Sequence, residues 1–380
     1  MCYHWAQKRG VWGMEVALPV RRAGFPFINP LKEEDSAMTT GYVYERIFHK
    51  HNWPDHPENA KRLNAMIGYL EAHQILPRLK HIPSREAKIH ELQRCHHPLY
   101  IEHVEDTCRF GGGMLDADTY TNKFSFEAAA HAAGGLIELC RAVVTGELDN
   151  GFALIRPPGH HATPNRAMGF CIFGNTPIAA RAMQNGVGVE RAAIVDFDVH
   201  HGNGTQAILE EDPSIMFVSS HQYPFYPGTG SVREVGTGPA KGTKVNLPLT
   251  PFMGDEDVKA LYSQIVFPLL RRFQPELIIV SAGFDAHWDD PLANIGLTLT
   301  GYHWLVTSLI NLAAEICNGK IVFALEGGYN LNVVAPAVGN TFRALLGDTD
   351  FDDPLGVSPW VEPDVAPLLA QLKIIHGLPR

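Results

Sequence analysis

Asp196-Phe197-Asp198-Val199-His200-His201-Gly202-Asn203-Gly204 ends the run Ala192–Val199, and the reading of this stretch decides the fold. A short apolar run that closes in carboxylates, imidazoles and glycines reads as a buried strand delivering polar groups at its C-terminal end. The same grammar recurs along the chain. Phe152–Ile155 leads into Arg156-Pro157-Pro158-Gly159-His160-His161, Leu277–Val280 into Ser281-Ala282-Gly283-Phe284-Asp285, and Ile321–Leu325 into Glu326-Gly327-Gly328-Tyr329. Ile215–Ser219 and Val245–Leu249 are further runs of this kind. Helical periods lie between them, as in Val258, Leu261, Tyr262 and Ile265, where Pro268 is expected to kink or end the helix. Nearer the N-terminus, Leu63, Met66, Ile67 and Leu70 mark one apolar helix face. Phe126, Ala129, Ala130, Ala133, Ile137 and Cys140 mark another, with Ser125 expected as N-cap and Gly146 as the stop. Apolar strands alternating with helices predict an α/β fold, a central mostly parallel sheet with helices on both faces. No Pro- or Ser-rich linker interrupts it, so residues 38–380 read as a single domain and residues 1–37 as an N-terminal extension.

The 380 residues carry a net charge of −10 with Lys and Arg dispersed, which argues against direct nucleic-acid or membrane-surface binding. No apolar run reaches the roughly 18–20 residues that a membrane span requires. Six scattered cysteines without a CxxC pair read as reduced thiols in a reducing compartment, so a cytoplasmic location is expected. Oligomeric state stays open.

Open parallel sheets bind ligands beyond the carboxyl ends of their strands, so the polar segments are expected to converge. In a strand, residues i, i+2 and i+4 point the same way, which would put Asp196, Asp198 and His200 on one side. Such a buried set calls for a metal ion or for ion pairing, and Asp285 adds a carboxylate at another strand end. Three protein ligands with an open position suit catalytic zinc, and the oxygen and nitrogen donors would also suit Fe(II) or Mn(II). His160 and His161 sit in a Pro/Gly turn, where one ring can act as acid and base and the other carry charge, with Asp196 and Asn203 as partners. Tyr329, after two glycines, can donate its phenol to an oxyanion. Phe170 and Tyr226 can wall a slot for an aliphatic chain, although loop packing would also account for them.

Arg156–His161, Gly169–Cys171, Asp196–Gly204, Pro227–Gly230, Ser281–Asp285 and Glu326–Asn330, in this order, resemble the signature segments of the histone deacetylase superfamily. His56-Pro57-Glu58 and Arg62-Leu63 match its N-terminal signature, and the resemblance runs from about residue 41 to 350. It implies an arginase/deacetylase-like fold, one zinc at Asp198, His200 and Asp285, and hydrolysis of N-acetyl-lysine-like amides. By the same resemblance His161 is the general base and acid, and His160, paired with Asp196, gives electrostatic support. Tyr329 polarises the acyl carbonyl, Gly169 offers its carbonyl to the substrate amide, and Phe170 and Tyr226 line the tunnel. Asp196, Asp198 and Ser219 would contribute to a structural potassium site. Asn203 stands where class I members have Asp, which sets the chain nearer class II. Tyr329 is not the His of the weakly active class IIa enzymes, so full activity is implied. Leu292 follows Asp290-Pro291 where polyamine deacetylases carry Glu, which disfavours a cationic polyamine. Thr119, in Asp118-Thr119, lies where related enzymes hold the substrate amide at the rim. The expected partner is an acyl-lysine protein or peptide, or a small acylated amine. Competing readings are an acetylpolyamine or other small-molecule amidohydrolase, an acyl-ligand binding module, and a two-metal hydrolase using His201 and Asp196 as spare ligands.

Overall fold

A computed structural model describes residues 38–379, so the expected extension at 1–37 lies outside the described residues. Ten strands form among them: β1 (Thr40–Val43), β2 (Lys80–His81), β3 (Gly112–Met114), β4 (Tyr120–Asn122), β5 (Asn150–Ala153), β6 (Ala192–Asp196), β7 (Ile215–Gln222), β8 (Lys244–Leu249), β9 (Leu277–Ala282) and β10 (Ile321–Leu325). Eight join in one sheet of order β2-β1-β5-β10-β9-β6-β7-β8, with every pairing parallel. β3 and β4 form a separate antiparallel ribbon. All residues of β6, β9 and β10 are buried, as strands covered on both faces must be. The fold is therefore the parallel α/β architecture expected, with helices packed around the sheet.

The order of the central strands matters most for function. β5, β6, β9 and β10 carry the polar segments, and in the sheet they lie side by side as β5-β10-β9-β6. Residues as far apart in sequence as Arg156 and Tyr329 thus open onto one edge, where parallel sheets place their ligands. β1, β2 and the β3–β4 ribbon escaped sequence reading. They are two to four residues long and include glycines or exposed charged residues, so they lack an apolar run.

Three local expectations need correction. Of the two outcomes expected at Pro268, a kink or an end, the end is the one overturned: Asp255–Leu261 passes through a π-helical stretch, Tyr262–Val266, into Phe267–Phe273. The wider π-turn accommodates the ring and its missing N–H. Ser125 is not an N-cap but the first residue of helix Ser125–Val144; its hydroxyl is engaged by His51 and the Asn122 N–H. The strand alternation drawn through Asp196, Asp198 and His200 also fails, because β6 ends at Asp196.

Candidate active site

Beyond β6 the chain turns on its own carboxylates. Asp196 Oδ1 accepts the Asp198 N–H at 3.1 Å, and Asp198 Oδ1 accepts the His200 N–H at 2.9 Å. These successive Asx contacts, not a strand's pleat, aim Asp198 and His200. Asp285 arrives from the end of β9, and its Oδ1 accepts the Val199 N–H at 2.9 Å. The result is a cluster in which ligand atoms of Asp198, His200 and Asp285 lie within 4.8 Å of one another. His200 Nδ1 stands 3.2 Å from Asp198 Oδ1 and 3.4 Å from Asp285 Oδ2, and the latter oxygen is buried without a hydrogen-bond partner. Burial opposes charge on His200, yet its hydrogen bond to Asp198 and the nearby Asp285 and Asp198 carboxylates raise its pKa to about 10. A positive charge is strongly favoured at this point. The donor set and its unsatisfied oxygen fit a divalent ion.

Glycine admits this convergence. The Gly327 N–H donates to Asp198 Oδ2 at 2.8 Å, and a Cβ there would stand 2.1 Å from Asp285 Oδ2. Gly169 is held at φ +56°, where a Cβ would come within 2.2 Å of the His161 ring.

The adjacent histidines have unlike partners. His160 Nδ1–H donates to Asp196 Oδ2 at 3.0 Å, and against burial the charges of Asp198 and Asp196 hold this imidazole well above its ordinary pKa. His161 Nδ1–H donates to Asn203 Oδ1 at 2.8 Å. Burial, then His160 and His200, hold it well below the ordinary value. His161 is therefore neutral with Nε2 as its free acceptor, and its ring centroid lies 5.9 Å from that of His200. Glu326 anchors the turn that carries both, its Oε2 accepting the Gly159 and His160 N–H groups at 2.7 and 3.2 Å.

A buried Arg–Glu–Arg network supports Tyr329. Glu58 pairs with Arg156, and Arg62 Nη1 donates to Glu58 Oε1 at 3.2 Å. Arg62 Nε donates to Gly328 O at 2.8 Å, and its guanidinium lies 5.1 Å over the Tyr329 ring. A cavity of about 180 Å³ has His161, His200 and Tyr329 in its lining, with Phe170, Phe225, Tyr226 and Leu292 as apolar walls. Phe170 and Tyr329 meet edge to face at 5.8 Å, and Tyr226 meets His161 likewise at 5.2 Å.

Among the residues expected at the site, Thr119 does not reach the cavity. It is buried, and its hydroxyl accepts the Phe170 N–H at 3.1 Å. Asp118 lines the cavity instead, and its Oδ1 accepts the Gly169 N–H at 3.1 Å. His201 turns away to Thr229 and Gln206, and Asp196 is engaged by His160, so neither spare ligand of the two-metal reading joins the cluster. Sequence reasoning gave no role to Glu58, Arg62, Arg156, Glu326 or Phe225. The first four were visible only as charged members of the signature segments.

The family match and the relatives of the chain support a hydrolase acting on amide bonds. Residues 56–345 match the Histone deacetylase domain. Over 349 residues the chain is 39% identical to the chloroplastic histone deacetylase 14 of Arabidopsis thaliana, covering 86% of this chain and 82% of the relative. It is 38% identical to a probable deacetylase of Archaeoglobus fulgidus, covering 79% and 84%. A crystal structure of the HDA15 HD domain superposes with a TM-score of 0.82 at 34% identity, covering 89% of this chain and 95% of that one. The chain belongs to the histone deacetylase family.

Proposed function

We propose that the protein is a zinc-dependent deacylase that removes acetyl or other acyl groups from lysine side chains or related small amides. The observation that carries this reading is the unlike histidine pair, one ring neutral and one charged, beside the Asp198–His200–Asp285 cluster. Those three residues would hold the ion, which when bound supplies Lewis acidity toward the acyl carbonyl and acidifies a water. His161, with Nδ1–H committed to Asn203, takes the proton of the attacking water on Nε2 and returns it to the leaving amine. His160, charged against Asp196, and the Tyr329 hydroxyl stabilise the developing oxyanion. Gly169 offers its carbonyl to the substrate amide, Phe170 and Tyr226 flank the aliphatic chain, and Leu292 presents an apolar wall unsuited to a cationic polyamine.

A structural potassium ion at Asp196, Asp198 and Ser219 belongs to the same reading. Asp196 and Ser219 pair across β6 and β7, and Ser219 donates its hydroxyl hydrogen to His221 Nδ1 at 2.9 Å, leaving oxygen lone pairs for a cation. No described helix is long and apolar enough to cross a membrane. The five described cysteines are buried and free, which supports a reducing compartment such as the cytoplasm.

The test is turnover of acetyl-lysine peptides and of acetylputrescine, before and after chelation. The expected result is preference for the peptides, loss on chelation and recovery with zinc. Undiminished turnover by metal-free protein would overturn the metal assignment, and preference for acetylputrescine would move the reading to a small-molecule amidohydrolase.

A further inference from the structure

The turn that presents Tyr329 is held from two sides. On one side stands the Arg62 contact with the Gly328 carbonyl. On the other is a carboxylate the mechanism does not use. Asp290 is 6% exposed, and its Oδ2 accepts the N–H of Tyr329 at 2.8 Å and of Asn330 at 3.3 Å. Its Oδ1 accepts the Leu292 N–H at 3.0 Å. One carboxylate thus bridges two segments that both line the cavity, the turn bearing Leu292 and the turn bearing Tyr329.

The grip is returned. Asn330 Nδ2 donates to Asp289 O at 2.7 Å and Asp289 Oδ2 at 2.9 Å, while Asn330 Oδ1 caps the following helix by accepting the Asn332 N–H at 3.0 Å. The 289–292 turn is itself tied to the segment after Asp285, because the Asp290 N–H donates to His287 O at 3.0 Å and the Asp289 N–H to His287 Nδ1 at 3.1 Å. Three backbone N–H groups that donate to one buried carboxyl group hold the segments they belong to in a fixed relation. A phenol that must meet a developing oxyanion tolerates little displacement.

We propose that Asp290 is a positioning residue for Tyr329: its carboxylate locks the phenol-bearing turn to the Leu292 turn, which backbone N–H bonds to His287 tie to the segment after Asp285, fixing where the phenol meets the acyl oxygen. The kinetic consequence rests on the deacylase reading, whereas the clamp does not.

The test is the Asp290→Asn variant, alone and combined with Tyr329→Phe, with amide hydrogen exchange at residues 329 and 330 as a readout independent of activity. Asn keeps the shape but removes one acceptor oxygen. Exchange at these amides should rise about tenfold. The kcat on an acetyl-lysine peptide should fall about tenfold with KM within about twofold, and this loss should largely vanish in the Tyr329→Phe background. Asn330→Asp, which keeps the helix cap but removes the donor to Asp289, should act in the same direction and serves if Asp290→Asn misfolds. Unchanged exchange would overturn the clamp. Increased exchange with a kcat loss that adds in full to that of Tyr329→Phe would overturn action through the phenol. If the parent fails on acyl-lysine altogether, the deacylase reading falls and the exchange measurement still decides the clamp.

Discussion

His160 and His161 are neighbours in one turn, with ring centroids 4.0 Å apart, and their surroundings set them apart: against burial, Asp198 and Asp196 raise the pKa of the first, while burial, His160 and His200 lower that of the second. The Nδ1–H of the first donates to the Asp196 carboxylate and that of the second to the neutral Asn203 amide, which leaves His161 Nε2 free to exchange protons. Replacing Asn203 by Asp would place a negative charge against His161 and raise its pKa. Since a base must be unprotonated, the acid limb of the kcat/KM profile should move to higher pH by about one unit. A profile that does not move would show that His161 is not the base. Tyr329→Phe should lower kcat about 10²- to 10³-fold if the phenol donates to the oxyanion. A near wild-type rate would make Tyr329 a turn residue only. At this scale the sequence was legible for residue types and their order. It was not legible for Thr119 and Asp118, adjacent residues of which the structure brings only the second to the cavity.

Among elements, Glu58 binds the most together. It engages Arg156 after β5, Arg62 on helix Lys61–Ala72, and through Arg62 the Gly-Gly-Tyr turn after β10. Burial penalises its charge, but the charge and hydrogen bond of Arg156, together with His51 and Arg62, lower its pKa to about 2. A depressed carboxylate contributes stability that is fully present above the unfolded value, near 4.5, and lost as pH falls through the folded value, near 2. Glu58→Gln should destabilise by about 3–5 kcal/mol near neutral pH, because it leaves buried guanidinium charge uncompensated. Urea denaturation should show the gap from wild type narrowing as pH falls from 4.5 toward 2; a gap constant with pH would refute the network's electrostatic role. The long apolar strands and the two early helices were readable because their periods are local. The π-turn before Pro268 was not, since accommodation of proline within a helix depends on the packing around it.

Across the whole sheet, the neighbours β5-β10-β9-β6 deliver the paired histidines, the tyrosine turn, Asp285 and the Asp198–His200 turn to one edge. A divalent ion held there binds only the folded chain, so it should stabilise by about 4 kcal/mol when free zinc exceeds Kd a thousandfold. Zinc should accordingly raise the Tm of chelator-stripped protein, and Asp285→Asn should abolish most of the rise. A Tm indifferent to zinc in the wild type would remove the ligand assignment. By itself the sequence determined the α/β class, the parallel strands and the placing of carboxylates and imidazoles at strand ends, because these follow from local periodicity and from where apolar runs stop. Only the tertiary structure decided the strand order, the bends that replace alternation at Asp198 and His200, and the buried pairings. Those pairings join residues as distant as Arg62 and Gly328, 266 positions apart, whose contact is set by how the elements pack rather than by any pattern along the chain.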